Sequence, residues 1–515
     1  MKKIILLAII TTILIANASA DLITITSAIC TSPDNNQTWF DGNTYFLNVD
    51  SNVDVSNCQL TINPGAIVKF KINVANYLNI TNKGVLKAQG TSTNKIVFTS
   101  GVDDSIGTAA QEHVEGVFPK KGDYGTAINF SNTAGLTSDA NDLFNLNIGY
   151  SSKAIEFGFA SSRTYNSIHD LNVHDTNVAV LANNGSIRIA GKLKNFYNNT
   201  ITDNNAVTAA TAGVSMTGAG AITNFYDNTI FNNSTAGAGA GVRIVGSVTN
   251  FYNNQITYNV ITGNSAVEGA GVRIAGEITN FYDNNISNNA TSVQNGTGIY
   301  FGGIVSNFFD NVISNNASVS GNGAGLFFDV SGDATNFFNN DISNNSTILG
   351  HGAGIYANDY LTGNVYNNVF QKNSAHAGSG IYCGVSIGNL YNNLFFDNNA
   401  NTPHGIIEND GSITNLQNNV FAYNSGTAIV DSVGGIATSN NNAFWANDTN
   451  TSGYTEGANS VYLGTSPFIN DGSDRNFLLN SYGIAQLQGT GDSTIGTDSY
   501  FQAKTVRFDN RLDYN

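Results

Sequence analysis

The strongest constraint on this chain is a pattern written ten times in succession: Asn-x-[Ile/Phe]-x-x-Asn, with Asp or Asn immediately in front. The leading asparagines are Asn199, Asn228, Asn254, Asn284, Asn311, Asn340, Asn368, Asn393, Asn419 and Asn442. Successive copies lie 29, 26, 30, 27, 29, 28, 25, 26 and 23 residues apart, a mean of 27. The apolar residue two places on is Ile201, Ile230, Ile256, Ile286, Ile313, Ile342, Phe370, Phe395, Phe421 or Phe444. A second Asn follows three places later, from Asn204 to Asn447, and looser copies occur upstream around Asn147 and Asn172. A unit of this size cannot bury a core alone, whereas stacked units bury one continuous core.

Between copies comes Gly-x-Gly followed by apolar-x-apolar, as at residues 239–244, 269–274, 323–328, 352–356 and 378–382. Each unit thus holds short runs of β-type residues punctuated by Gly and Asn, with no sustained helical period. This predicts an all-β chain coiled as a parallel β-helix, its turns about 4.8 Å apart. Stacking also explains the asparagines. A buried Asn must satisfy two donors and an acceptor, and in a stack each amide can bond the amides above and below. Ladders are therefore expected at the ten leading asparagines. One ladder position is expected to hold a left-handed turn, which Asn tolerates. The glycines mark tighter turns, and Ile and Phe fill the interior.

Charged residues make up only 11% of the chain, against about 25% in ordinary domains, so surface polarity must come from Asn, Ser and Thr. Low charge and five prolines argue against disorder. Residues 1–20 read as a secretion signal, with Lys2 and Lys3, an apolar run over 4–16, and Ala18-Ser19-Ala20 before the cut. The mature chain is expected to begin at Asp21 and to be exported, to the medium or the cell surface. No later run approaches the roughly 18 apolar residues of a membrane span. Losing the two signal lysines and no acids takes the formal charge from −16 to −18. Such a chain is a poor partner for nucleic acid or anionic membranes. In an exported setting Cys30 and Cys58 are expected to form a disulfide. Cys383 reads as a small buried residue rather than a nucleophile.

Residues 60–107 contain Asn-Pro-Gly-Ala-x-Val-Lys-Phe and Ala-Gln-Gly-Thr followed by Ile-Val-Phe-Thr-Ser. They resemble the N-terminal coils of secreted bacterial right-handed β-helix proteins. The units FQKN, FFDN, FAYN and FWAN, starting at Phe370, Phe395, Phe421 and Phe444, alternate with Gly-Ala-Gly-Ile or Gly-Ser-Gly-Ile. They are similar to the repeats of polymorphic outer membrane proteins. Residues 464–492 resemble the closing segment of β-helix proteins of the choice-of-anchor type. The resemblances imply a right-handed, pectate-lyase-like parallel β-helix, here placed at 60–447 with short caps at 21–59 and 448–515. They depart from those families in showing neither a translocating barrel nor a Leu-Pro-x-Thr-Gly tail.

β-Helices of this hand include pectate lyases and polygalacturonases, so catalysis has to be weighed. Gly350-His351-Gly352 invites a catalytic reading. But His351 fills a slot that holds Ala238, Glu268 and Asn322 in other units, which makes it a variable turn position. No Lys or Arg occurs from Ile274 to Gln371, so a uronate polymer would meet an acidic surface there. Asp103-Asp104 could be a calcium or acid pair, but the resemblance implies that it is part of a recurring loop near the start of the helix, and the loop reading is preferred. No metal, cofactor or Ser-His-Asp arrangement is expected, and no catalytic residue is assigned.

Two outward rows are the better candidates. The first is Tyr197, Tyr226, Tyr252, Tyr282, Phe309, Phe338, Tyr366 and Tyr391, ended by Gln417. The position before it exchanges Phe with Val and Leu and reads as core; the aromatic one reads as half-exposed. Tyr226, Tyr252 and Tyr282 could stack on sugar rings, or the rings could stack only on each other. The second row is Arg188, Ser215, Arg243, Arg273, Tyr300, Phe327, Tyr356 and Tyr382, outward by alternation. Arg243 and Arg273, in adjacent coils, could grip one anion or simply keep the face soluble. The expected function is an exported, non-catalytic structural or adhesive rod binding a glycan or a surface protein through a ladder face. The alternative is a polysaccharide-degrading lyase or glycoside hydrolase on the same fold.

Overall fold

The computed structural model describes residues 21–467 apart from 27–28, 30–34, 74, 82, 111–116, 132–141, 159–163, 179–184, 208–210, 264–267, 359 and 458. The expected secretion signal, Cys30 and residues 468–515 lie outside the described residues.

One repeat shows how the chain coils. Four short strands make a turn: Val242–Ile244, Ser247–Tyr252, Gln255–Thr257 and Val260–Ile261. Each pairs in parallel with its equivalent one repeat on. Val242 lies opposite Val272, Phe251 opposite Phe281, Ile256 opposite Ile286, and Val260 opposite Ala290. Continued along the chain, this gives sheets of 15, 15, 17 and nine strands, numbered sheets 1 to 4 in that order. The fold is a parallel β-solenoid. Among the described residues there is no helix, and so none long and apolar enough to cross a membrane. Strands Leu22–Ile25, Gln37–Trp39 and Val53–Ser56 already pair into these sheets, and so does Thr449–Ser452. The solenoid pairing therefore runs into both segments expected to act as caps.

The asparagine ladder is complete. Asn199 Nδ2 donates to Asn228 Oδ1 at 2.9 Å, Asn228 to Asn254 at 2.9 Å, and Asn254 to Asn284 at 2.9 Å. The series continues through Asn311, Asn340, Asn368 and Asn393, and ends with Asn419 donating to Asn442 at 3.2 Å. Each Oδ1 also accepts a backbone N–H, as Asn284 does from Asn254 at 3.1 Å. A second ladder runs from Asn204 to Asn447. A third, half-buried one passes through Asn195, Asn224, Asn250, Asn280, Asn307 and Asn336 with its donors reversed. The Asn of Asn-Phe-Tyr is its sequence signal. The upstream copies are offset by one residue: Asn172 lies opposite Thr200, and Leu171 occupies the slot below Asn199.

The left-handed residue is not in the ladder but directly in front of it. Asp227, Asn253 and Asp283 have φ of 55°, 55° and 54°. A single such residue turns one strand into the next and throws the following Asn side chain inward, so turning and laddering fall to separate neighbours. Asn and Asp predominate at the corner because they tolerate positive φ. Phe196, Phe225, Phe251, Phe281, Phe308 and Phe337 form a buried stack with centroids 4.7–4.9 Å apart. Cys58 is buried and disulfide-bonded, and its expected partner Cys30 is among the residues not described.

Candidate ligand-binding faces

The aromatic row lies on the outer side of sheet 2, half-buried throughout. Tyr226 and Tyr252 are parallel, with centroids 4.9 Å apart and an interplanar angle of 0°. Tyr252 and Tyr282 are 5.0 Å apart at 4°. The stack begins earlier than the tyrosines, with Phe144 on His169 at 4.8 Å and His169 on Tyr197 at 4.5 Å, and it reaches Tyr391. Each interior ring therefore has both faces covered by its neighbours. What the row offers to a partner is one ring edge per turn, with a phenol hydroxyl wherever that ring is Tyr rather than Phe309 or Phe338. Burial raises the phenols of Tyr226, Tyr252 and Tyr282 above their usual range, with neighbouring Asp or Tyr charges adding to it.

The second row, on sheet 1, is not the open surface that alternation predicts. Tyr300 and Phe327 are only 4% and 3% exposed. The left-handed glycine of each Gly-x-Gly packs beside this row: a β-carbon on Gly296 would stand 2.8 Å from that of Tyr300, and on Gly323 2.8 Å from that of Phe327. The turn thus folds over side chains that alternation points outward. From the other side, Tyr300 donates its hydroxyl to Asp329 and Tyr382 donates to Asp410. Burial and those carboxylates push both phenols well above the usual tyrosine range. At the basic end, Arg188 pairs with Glu156 at 2.6 Å and Arg273 Nε with Glu268 at 3.4 Å. Arg243 lies opposite Arg273 in the parallel register. Burial first, then the Arg273 charge, lowers Arg243 to about 10.

The structure also assembles a group that residue-by-residue reading missed. Three of the six histidines meet beside Tyr382. The rings of His351 and His376 are 5.5 Å apart, and those of His376 and His404 4.7 Å. His404 Nδ1 lies 3.4 Å from Glu408 Oε1, and Asn401 reaches His376 Nδ1 at 3.2 Å. The sequence signal is spacing: each His follows the last by one repeat. Among the described residues no three His, Cys, Asp or Glu side chains converge as metal ligands. Burial, and then the charges of His376 and His404, hold His351 below the usual imidazole range, with Asp410 opposing. A lowered folded-state pKa favours the neutral ring, so its contribution is intact above about pH 6.5 and is lost as pH falls. Thermal unfolding is expected to shift downward between pH 7.5 and pH 5, and His351→Asn to shrink that shift. An unchanged shift in the variant would remove the histidine cluster as its cause.

Cys383 sits in sheet 1 between Ala357 and Asn409, fully buried, and burial raises its thiol to about 12. The native chain at pH 8 should not react with a thiol reagent that titrates this cysteine in urea. Fast native labelling would contradict the burial. The Asp103-Asp104 segment is closed on itself: Asp103 accepts from Thr99 at 2.6 Å and from the Ser105 N–H at 3.2 Å. The buried Lys69 donates to the Asp103 carbonyl at 2.6 Å and lies 3.9 Å from Asp104.

No family model, curated protein or solved structure matches the chain.

Proposed function

We propose that this protein is an exported structural or adhesive rod that binds an extended partner, a glycan or a surface protein, along the aromatic row of sheet 2. The carrying observation is the regularity of that row. Half-buried rings follow one another from Tyr197 to Tyr391, separated by 4.9–5.1 Å. A row repeated at each turn lets a long partner make many weak, equivalent contacts, which multiply through avidity. Because the ring faces are covered, recognition runs through hydroxyl edges rather than stacking on sugars. The likeness of the Phe-x-x-Asn units to polymorphic outer membrane protein repeats, and of residues 464–492 to choice-of-anchor proteins, supports a place at the cell surface. The right-handed rule for parallel β crossovers supports a right-handed coil.

A glycan array probed with the full chain and with a Tyr226→Phe, Tyr252→Phe, Tyr282→Phe variant tests this reading. Phe309 and Phe338 already occupy the row, so the variant keeps the stack and removes only hydroxyls. A tenfold or larger loss of binding at unchanged thermal stability is expected. Full binding in that variant, or no binding by the parent chain, would count against the row. A second reading, polysaccharide cleavage, is favoured by the titratable groups His351, Tyr382, Asp410 and Glu408 gathered at one end of sheet 1. Release of reducing or unsaturated sugar ends in a digestion panel would establish it over the first.

A further inference from the structure

We infer that Arg243, with Arg273 beside it, forms a site on sheet 1 for a single oxyanion, a carboxylate or sulfate carried at the end of a ligand. This site is separate from the aromatic row of sheet 2. The other arginines of the row each have a carboxylate: Glu156, opposite Arg188 in register, and Glu268, on the turn before Arg273. No carboxylate among the described residues pairs with the Arg243 side chain, and its Nη1 is buried without a partner. Its neighbours in register are Ser215 and Arg273, so a second cation stands on one side of it. Holding a half-buried guanidinium next to a like charge is unfavourable unless something neutralises it. Packing does not demand it, since equivalent positions hold Ser215 and Tyr300.

An anion would supply the countercharge. A guanidinium presents a planar fork of donors that matches carboxylate or sulfate, and Arg243, Arg273 and Glu268 together still carry one net positive charge. The surroundings limit the ligand to one such group. Beyond Arg273 the row becomes Tyr300, Phe327, Tyr356 and Tyr382, flanked by Asp329 and Asp410, and no Lys or Arg occurs from Ile274 to Gln371. In a chain of net charge −16, a run of uronates would be repelled there, whereas a lone oxyanion at Arg243 would not.

The test is calorimetric titration of the full chain at low salt with glucuronate, inorganic sulfate and glucose, repeated for Arg243→Gln and Arg243→Lys. Glucuronate or sulfate is expected to bind, glucose not, with at least a tenfold loss in Arg243→Gln and a smaller one in Arg243→Lys. Glucuronate binding more tightly than sulfate would identify an acidic sugar; equal binding would identify a free oxyanion. Thermal unfolding of Arg243→Gln without ligand is expected at or above the parent temperature, because an uncompensated charge has been removed. The inference is overturned if neither anion binds, if Arg243→Gln binds as the parent does, or if that substitution destabilises the chain as loss of a structural ion pair would. None of these outcomes bears on the sheet 2 row, which the tyrosine variant tests separately.

Discussion

Gly271→Ala is expected to abolish accumulation of folded, soluble protein. A β-carbon at Gly271 would stand 2.5 Å from the Gly298 carbonyl oxygen, 2.9 Å from Asn289 Nδ2 and 3.0 Å from Ile286 Cγ2. None of these neighbours is the loose end of a flexible side chain. The Gly298 carbonyl accepts from Val272 N at 2.9 Å, and Asn289 is a rung of the second ladder, bonded to Asn316 at 3.0 Å. Relief would require the two turns to part, which breaks sheet 1 pairing. Overpacking in a core costs about 1–3 kcal/mol when side chains can shift. Against fixed backbone the cost should exceed about 4 kcal/mol, the range in which single substitutions unfold domains. The contact recurs in the neighbouring turns, with Gly241 2.6 Å from Gly271 O and Gly325 2.7 Å from Gly354 O, so the same result is expected at both of those glycines. Soluble yield and limited proteolysis are the measurements. A soluble Gly271→Ala chain with the parent's urea midpoint would refute the argument.

Asn284→Ala should be nearly as damaging for a different reason. Asn284 Oδ1 accepts from Asn254 Nδ2 at 2.9 Å and from Asn254 N at 3.1 Å. Its Nδ2 donates to Asn311 Oδ1 at 3.0 Å, to Phe251 O at 3.1 Å and to Tyr282 O at 2.9 Å. Truncation leaves several buried donors and acceptors without partners, each costing about 1–3 kcal/mol. A local loss of roughly 4 kcal/mol or more is expected. In a solenoid, stability is a sum of turns and their interfaces, so the chain should open at the altered turn first. Limited proteolysis should therefore cut near residues 254–311 before elsewhere. Asp283→Ala, one residue away at an exposed corner with φ 54°, is the contrast: a left-handed alanine costs about 1–2 kcal/mol and leaves the ladder whole. Equal damage from the two substitutions would show that the ladder contributes little beyond its corner.

Much of this architecture is legible in the chain itself. The period of the Asn pattern, the interior Ile and Phe positions and the ladder register follow from near neighbours, because alternation and turn chemistry act over a few residues. The offset at Asn172 was not legible, since Leu171 fills the Asn slot and only strand pairing exposes the shift. The left-handed corners lie one residue before the ladder position that the sequence suggests, because Asn suits both the corner and the rung and composition alone does not divide the roles.

By itself the sequence determined the repeat, the coil and the stacked core, all properties of one unit copied forward. Only the tertiary structure decided what happens outside the coil. Burial of an outward residue depends on whether a turn from the same or the next repeat folds over it, as at Tyr300 and Phe327. The meeting of His351, His376 and His404 depends on stacking turns that are 25 and 28 residues apart. The solitary charge of Arg243 is likewise visible only beside its paired neighbours, because an ion pair is a fact about distance in space and not about order along the chain.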